Sequence, residues 1–235
     1  MPIRHNGTVT SSAPRRGRPA LGESRLSRAA VVSAALDLVD EQGVGEIGMR
    51  AVAKRLHVDP KSLYNHVRDK DDLLDAVTES LLRSIDLPRP TGDTAADVSA
   101  VAHAFRAAAL RHPRAAPLVL TRQIDGAAAL APTEAMARIL LDAGLPADEA
   151  VHTLRTLLAA LIGTLLREVD AGPTFGTSDG EAIAHREEAL AASGHPAVAE
   201  VAARLATFDA DAEFHFTVAA MSDVVLARVA AARRR

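Results

Sequence analysis

A chain of 235 residues with 48% hydrophobic content can bury one sizeable core, or a small domain joined to a larger one. The absence of Cys excludes disulfides, thiolate metal sites and a Cys nucleophile, and is compatible with a reducing, cytoplasmic home. A formal net charge of -3 excludes a uniformly basic surface, so contact with a polyanion has to rest on locally concentrated charge. Aromatic residues make up only 3%, and Ala, Leu and Val supply most of the apolar volume, which predicts an all-α fold of closely packed helices.

Residues 1–22 read as a flexible basic arm: RRGRPALG holds Arg15, Arg16 and Arg18 and has no periodicity that could bury a face. The arm lacks an apolar h-region, so no secretory signal is recognisable. Residues 23–86 read as a first helical domain. Ser27 is a candidate N-cap, after which Val31, Ala34, Ala35 and Leu38 repeat at helical spacing up to a stop at Gly43. Two short helices follow, one with Val52, Ala53 and Leu56 on a shared face and one with Leu63 and Val67, separated by only His57, Val58 and Asp59. Asp59 before Pro60 predicts an N-cap followed by a first helical residue, where the missing N–H of proline is no loss. A fourth helix from Asp69 carries Leu73, Leu74, Val77, Leu81 and Ile85, until LPRPTGD breaks it.

Residues 87–235 read as a larger helical domain of about six helices, punctuated at His112-Pro113, Gly144-Leu145-Pro146, Gly172-Pro173 and Gly194-His195-Pro196. In a long helix over about 146–170, Val151, Leu154, Leu158, Leu161 and Leu165 form the main stripe, with Leu157, Ile162 and Leu166 on other sides. A last helix, over about 209–232, repeats Phe214, Val218, Met221, Val225 and Val229. Helices apolar on more than one face need cover on more than one face, and a second subunit would supply it. The uncharged run from Thr156 to Leu166 is bracketed by Arg155 and Arg167 and is too short to cross a bilayer, so no membrane partner is expected.

Two short helices across a three-residue turn describe a helix-turn-helix, whose second helix enters the major groove of DNA. With Leu63 and Val67 inward, Lys61, Ser62 and Asn65 face outward, with Tyr64, His66 and Arg68 beside them. Ser, Asn and Lys can meet base edges, while the Tyr64 hydroxyl, His66 and Lys70 can reach phosphates. A lone Tyr is more often a half-buried core residue, RDKDD is commonly a solvated helix start, and short basic arms often have no partner. Concurrence favours DNA: arm, three-residue turn, capped second helix and polar outward face occur in the order a reader of DNA needs.

Residues 15–85 resemble the DNA-binding domain of the tetracycline-repressor (TetR) family of bacterial transcription regulators, with LYNHVRDKDDLL as the most specific part of the match. The resemblance implies a homodimer on a double-stranded operator of two half-sites, and a C-terminal helical domain that binds a small-molecule effector and releases DNA. It implies DNA contacts at Arg50, Lys61, Ser62, Tyr64, Asn65, His66 and Lys70, to which the arm adds Arg15, Arg16 and Arg18 for a minor groove. Gly48-Met49 departs from the hydroxyl residues common at that helix start. The C-terminal half resembles the tetracycline-repressor branch more weakly, in FRAAALRHPR, LIGTLLREVDAG and FHFTVAAMSDVVLARV. Val119 stands where the founding member has the His that helps hold a magnesium-bound drug, so no metal or cofactor is carried over. Candidate effector contacts are Phe105, His112, Arg122, Arg155 and Thr164. No HExxH, GxSxG, P-loop or Rossmann glycine pattern occurs, and Glu187 and Glu188 fall on differing helix faces, which makes an enzyme a distant second class. A DNA-binding protein without sequence preference is the third.

Overall fold

The computed structural model describes residues 26–122, 126–172 and 175–234, which are helical apart from turns, loops and one isolated bridge between Thr177 and Thr207. Arg15, Arg16 and Arg18 lie outside the described residues.

Helix α1 (Arg28–Gln42) begins where Ser27 Oγ accepts the Ala30 N–H at 3.1 Å, and it ends at Gly43, whose φ of 88° suits a residue without Cβ. A 3₁₀ turn over Val44–Glu46 leads to α2 (Met49–Arg55), then α3 (Pro60–Leu63) and α4 (Lys70–Arg83). Val31, Leu38, Val52, Leu63, Val67, Leu73 and Val77 interdigitate as the core beneath the turn.

The C-terminal part holds α5 (Thr94–Arg111), α6 (Ala116–Thr121), α7 (Ala131–Asp142), α8 (Ala147–Leu166), α9 (Gly180–Ala191), α10 (Pro196–Glu200), α11 (Ala202–Ala206) and α12 (Ala210–Ala232). That is eight described helices where Gly and Pro punctuation predicts about six, because the stretch between Pro113 and Gly144 divides into α6 and α7, and the break between α10 and α11 falls at Val201, with neither Gly nor Pro to mark it. A second core joins α5, α7, α8 and α12, centred on Val98, Leu140, Leu157, Leu165, Phe214 and Val225. The stripe read on α12 is the buried one, Phe214, Val218, Met221, Val225 and Val229.

On α8 the reading requires correction. Its buried stripe is Ala150, Thr153, Leu157, Leu161 and Leu165, whereas Val151 and Leu158 are exposed. In a helix apolar all round, periodicity does not say which face meets its own chain. The segments Ala147–Val169 and Ala210–Ala232 are long and apolar enough to span a membrane by length and composition. Here they are partners in the core, where α12 packs against both α5 and α8.

Helix α6 ties the halves together. Helix α6 inserts Ala115, just before its first turn, and Leu118 into the N-terminal core. Within the C-terminal part, α8 runs into a π turn (Arg167–Ala171), where Arg106 of α5 binds Glu168 at 2.7 Å and Asp211 of α12 at 2.5 Å. The Arg106 guanidinium also lies 4.5 Å from the Phe214 ring centroid. The Glu168 and Asp211 carboxylates outweigh the burial that would discharge it, and its pKa is raised.

Candidate nucleic-acid interface and effector cavity

The segment between α2 and α4 is built by local chemistry. His57 adopts φ 55°, the one left-handed non-glycine residue among those described, and lets the chain reverse in three residues. Asp59 Oδ1 then accepts the Lys61 N–H at 2.8 Å, and Pro60 occupies the first helical position. Leu63 and Val67 are buried. The opposite face carries Lys61, Tyr64 and Asn65, all exposed, with Ser62 and His66 half-buried at its margins. Tyr64 leaves 55% of its surface in water, which rejects the half-buried core reading for the single Tyr of the chain. Arg50 near the start of α2 and Lys70 in the first turn of α4 are also exposed.

The α-helical part of this segment is shorter than the pattern suggests. After Leu63 the chain tightens, with Tyr64, Asn65 and His66 N–H donating to the carbonyls of Lys61, Ser62 and Leu63. The end of the segment is anchored at Asp72. Its Oδ2 accepts the Arg68 N–H at 2.7 Å, its Oδ1 pairs with Arg28 Nη2 of α1 at 3.0 Å, and its own N–H donates to Asp69 Oδ1. Arg28 Nη1 also donates to the His66 carbonyl at 2.6 Å, clamping the end of the recognition segment. The hydrogen bond from Arg28, aided by the Arg68 N–H, holds the Asp72 carboxyl below the usual carboxylate range. Sequence reasoning passes over Arg28 and gives Asp72 no role beyond a helix start; the D-x-x-D spacing of Asp69 and Asp72 was the available signal.

Gly48 caps α2 with no side-chain bond, so the hydroxyl expected at a phosphate contact is absent. At the other border of the domain, His112 Nδ1 pairs with Asp40 Oδ2 at 2.7 Å, Arg114 donates to the Glu41 carbonyl, and Arg111 donates to the Ser84 carbonyl at 3.1 Å. These bonds rivet the ends of α1 and α4 to the segment joining α5 and α6.

A cavity of about 320 Å³ lies between α6, α7 and α8, within the usual ~300–1,000 Å³ range of small-molecule sites. Leu82, Phe105, Val119, Leu120, Leu158 and Ile162 form most of its wall, and Thr121, Arg122 and Thr133 bring polar atoms to it. Two voids of about 20 and 50 Å³ adjoin it and share Phe105. Of the five candidate effector contacts, the structure brings Phe105 and Arg122 to the cavity and His112 to the smallest void. Arg155 is exposed on α8, and Thr164 binds Thr217 of α12 at 3.1 Å; neither lines these spaces. The described wall does not fit a magnesium-borne ligand: among the described residues it holds no carboxylate or imidazole, Val119 is apolar, and His112 beside it is engaged by Asp40. Among the described residues no three His, Asp or Glu side chains gather into a metal site.

Comparison with known proteins matches both halves. Residues 31–77 fit the family described as bacterial regulatory proteins, tetR family, and residues 87–228 fit the tetracyclin repressor-like C-terminal domain. The chain is 34% identical over 161 residues to the class A tetracycline repressor protein from transposon 1721 of Escherichia coli, covering 66% of this chain and 74% of that one. It is 28% identical over 202 residues to the HTH-type transcriptional repressor DrrR1 of Streptomyces coeruleorubidus, covering 82% and 73% of the two chains. The fold is similar to that of the TetR family protein ActR of Streptomyces coelicolor in complex with actinorhodin, with a TM-score of 0.76 at 23% identity over 87% of this chain and 97% of that one. With a helix-turn-helix domain and a repressor-type C-terminal domain matched in order, the chain belongs to the TetR family of bacterial transcription regulators.

Proposed function

We propose that this protein is a cytoplasmic, ligand-responsive repressor that binds a two-half-site operator as a homodimer and leaves it when a small molecule fills the C-terminal cavity. The observation that carries the reading is the segment Asp59–Val67, with Leu63 and Val67 in the core and Lys61, Tyr64 and Asn65 in water. That face suits the major groove: Lys61, Ser62 and Asn65 for base edges, Arg50, Tyr64, His66 and Lys70 for phosphates. Arg15, Arg16 and Arg18 of the arm extend the contact into a minor groove.

A single copy leaves apolar surface in water. Phe216, Val224 and Leu226 on α12, and Val151 on α8, are exposed large hydrophobics on two adjoining helices. A second copy packed there covers them and sets the spacing of the two recognition segments, which half-sites roughly 34 Å apart require. The tie between cavity and DNA is direct, because α6 bears Leu120 and Thr121 on the cavity wall and seats Leu118 in the core under the turn. A ligand that moves α6 shifts the recognition segment, the coupling that release requires. No catalytic role and no membrane are part of this reading.

Selection of bound duplexes from a random library tests it. A twofold-symmetric site is expected, with binding that survives excess random duplex, followed by small molecules that release the winning site. Binding that random duplex competes away points to a protein without sequence preference, and a ligand that tightens binding contradicts derepression.

A further inference from the structure

Arg122 belongs to two places at once. Arg122 lines the 320 Å³ cavity, and its side chain reaches α4 of the DNA-binding domain, where Nε and Nη2 bind Asp75 Oδ1 at 2.9 and 2.7 Å. Asp71 of the same helix stands 3.6 Å from Nη2. Nη1 has no partner among the described residues. Among the described residues the rest of the wall is apolar except for two threonines, and Thr121 gives its hydroxyl proton to the Pro117 carbonyl. A neutral apolar molecule would satisfy the walls and leave Nη1 unused. A cation would meet Arg122 with like charge on the cavity side, since Asp75 and Asp71 approach the guanidinium from α4 and neither lines the wall. An anion on a flat apolar body satisfies both, because guanidinium binds oxyanions through planar paired donors.

We propose that the effector is a ring-bearing organic anion, a carboxylate, sulfonate or ionised phenol or enol on an apolar skeleton, whose charge is read by Arg122. Its body lies along Phe105, Leu120, Leu158 and Ile162. Its oxyanion competes with Asp75 and Asp71 for the same guanidinium and loosens the bridge from the end of α6 to α4. One residue thereby selects the ligand class and reports its arrival to the DNA-binding domain. This rests on the reading of the cavity as the effector site and narrows it.

A matched pair of fluorescent probes tests the inference on the full chain: 8-anilinonaphthalene-1-sulfonate, which carries the anion, and N-phenyl-1-naphthylamine, the same skeleton without it. Arg122→Gln is expected to weaken the sulfonate about tenfold and to change the neutral probe less than twofold. Asp75→Asn, which removes the competing carboxylate, is expected to tighten the sulfonate about threefold while leaving the neutral probe unchanged, whereas damage to the fold exposes apolar surface and strengthens both. Thr133→Trp, which fills the cavity, is expected to weaken both. If Arg122→Gln shifts both probes alike, or Asp75→Asn fails to tighten the sulfonate, the anionic class is wrong, while a Thr133→Trp effect keeps the cavity as the site. If neither probe binds, or Thr133→Trp leaves their binding intact, the cavity itself is not the effector site and both readings fall.

Discussion

Replacing Asp72 by Asn removes the charge at the junction that fixes the recognition segment, with little change of shape. Arg28 is 49% exposed and Asp72 13%, so their pair lies at the upper end of the range for solvent-facing ion pairs, about 1 kcal/mol. The Asn oxygen can still accept the Arg68 N–H, but a neutral acceptor forfeits roughly half of a charge-assisted bond, a further ~0.5–1 kcal/mol. The expected loss is about 1.5–2 kcal/mol, or about 3–8 °C in Tm for a chain of this size. Thermal and urea unfolding of wild type, Asp72→Asn, Arg28→Gln and the double variant provide the assay. The coupling energy between the two sites is expected near ~1 kcal/mol. Operator affinity should fall in both single variants, because Arg28 also holds the His66 carbonyl. If Asp72→Asn costs the same with and without Arg28, the two side chains do not act together and the clamp is refuted.

Stability also depends on acid. The Asp72 carboxyl is held down by Arg28; the Asp97 carboxyl is buried, which raises it, but bonds from the Thr91 N–H and hydroxyl and the Gly92 N–H more than compensate. Both titrate lower folded than unfolded, so their contribution is complete above the unfolded value of about 4 and is lost as pH falls through the folded values. Urea midpoints from pH 7 to 3 should be flat at first and drop below about pH 4, with a smaller drop in Asp97→Asn. Tyr64→Phe should leave Tm unchanged and weaken the operator by about tenfold to thirtyfold, one phosphate bond of about 1 kcal/mol at each of two half-sites, measured by fluorescence anisotropy; unchanged affinity would remove Tyr64 from the interface. Phe216→Glu, at a side chain 73% exposed, should leave each chain folded and shift sedimentation to the monomer, and a persistent dimer would place the subunit contact elsewhere. Deletion of residues 1–20 should weaken operator binding and reduce its salt slope in a gel-shift series.

Local features were legible in the sequence. Ser27, Gly43, Asp59 and Pro60 act within three or four residues of themselves, so caps, turn and first helix follow from residue chemistry alone. The left-handed His57 was also readable, because a three-residue reversal demands that region whatever occupies it. Long-range pairing was hidden. Arg28 lies 44 residues from Asp72, and nothing near either names the other. The insertion of Ala115 and Leu118 into the N-terminal core was hidden for the same reason, since an apolar residue does not announce which core it joins. On α8, Leu or Val recurs on every side, so the buried face was decided by α12 and α7, outside the reach of periodicity. The same degeneracy explains the candidate effector contacts: Phe105 and Arg122 meet at the cavity, whereas Arg155 and Thr164 occupy other faces of α8.

The native chain contains no Cys, so a single Asn65→Cys variant can carry a photoactivated crosslinker on the outward face of the recognition segment without competing sites. Irradiated on the selected operator, it is expected to join bases in both half-sites at symmetric positions, while the same reagent at Glu187→Cys on α9 joins none. Crosslinks absent at residue 65, or scattered without twofold symmetry, would contradict groove insertion.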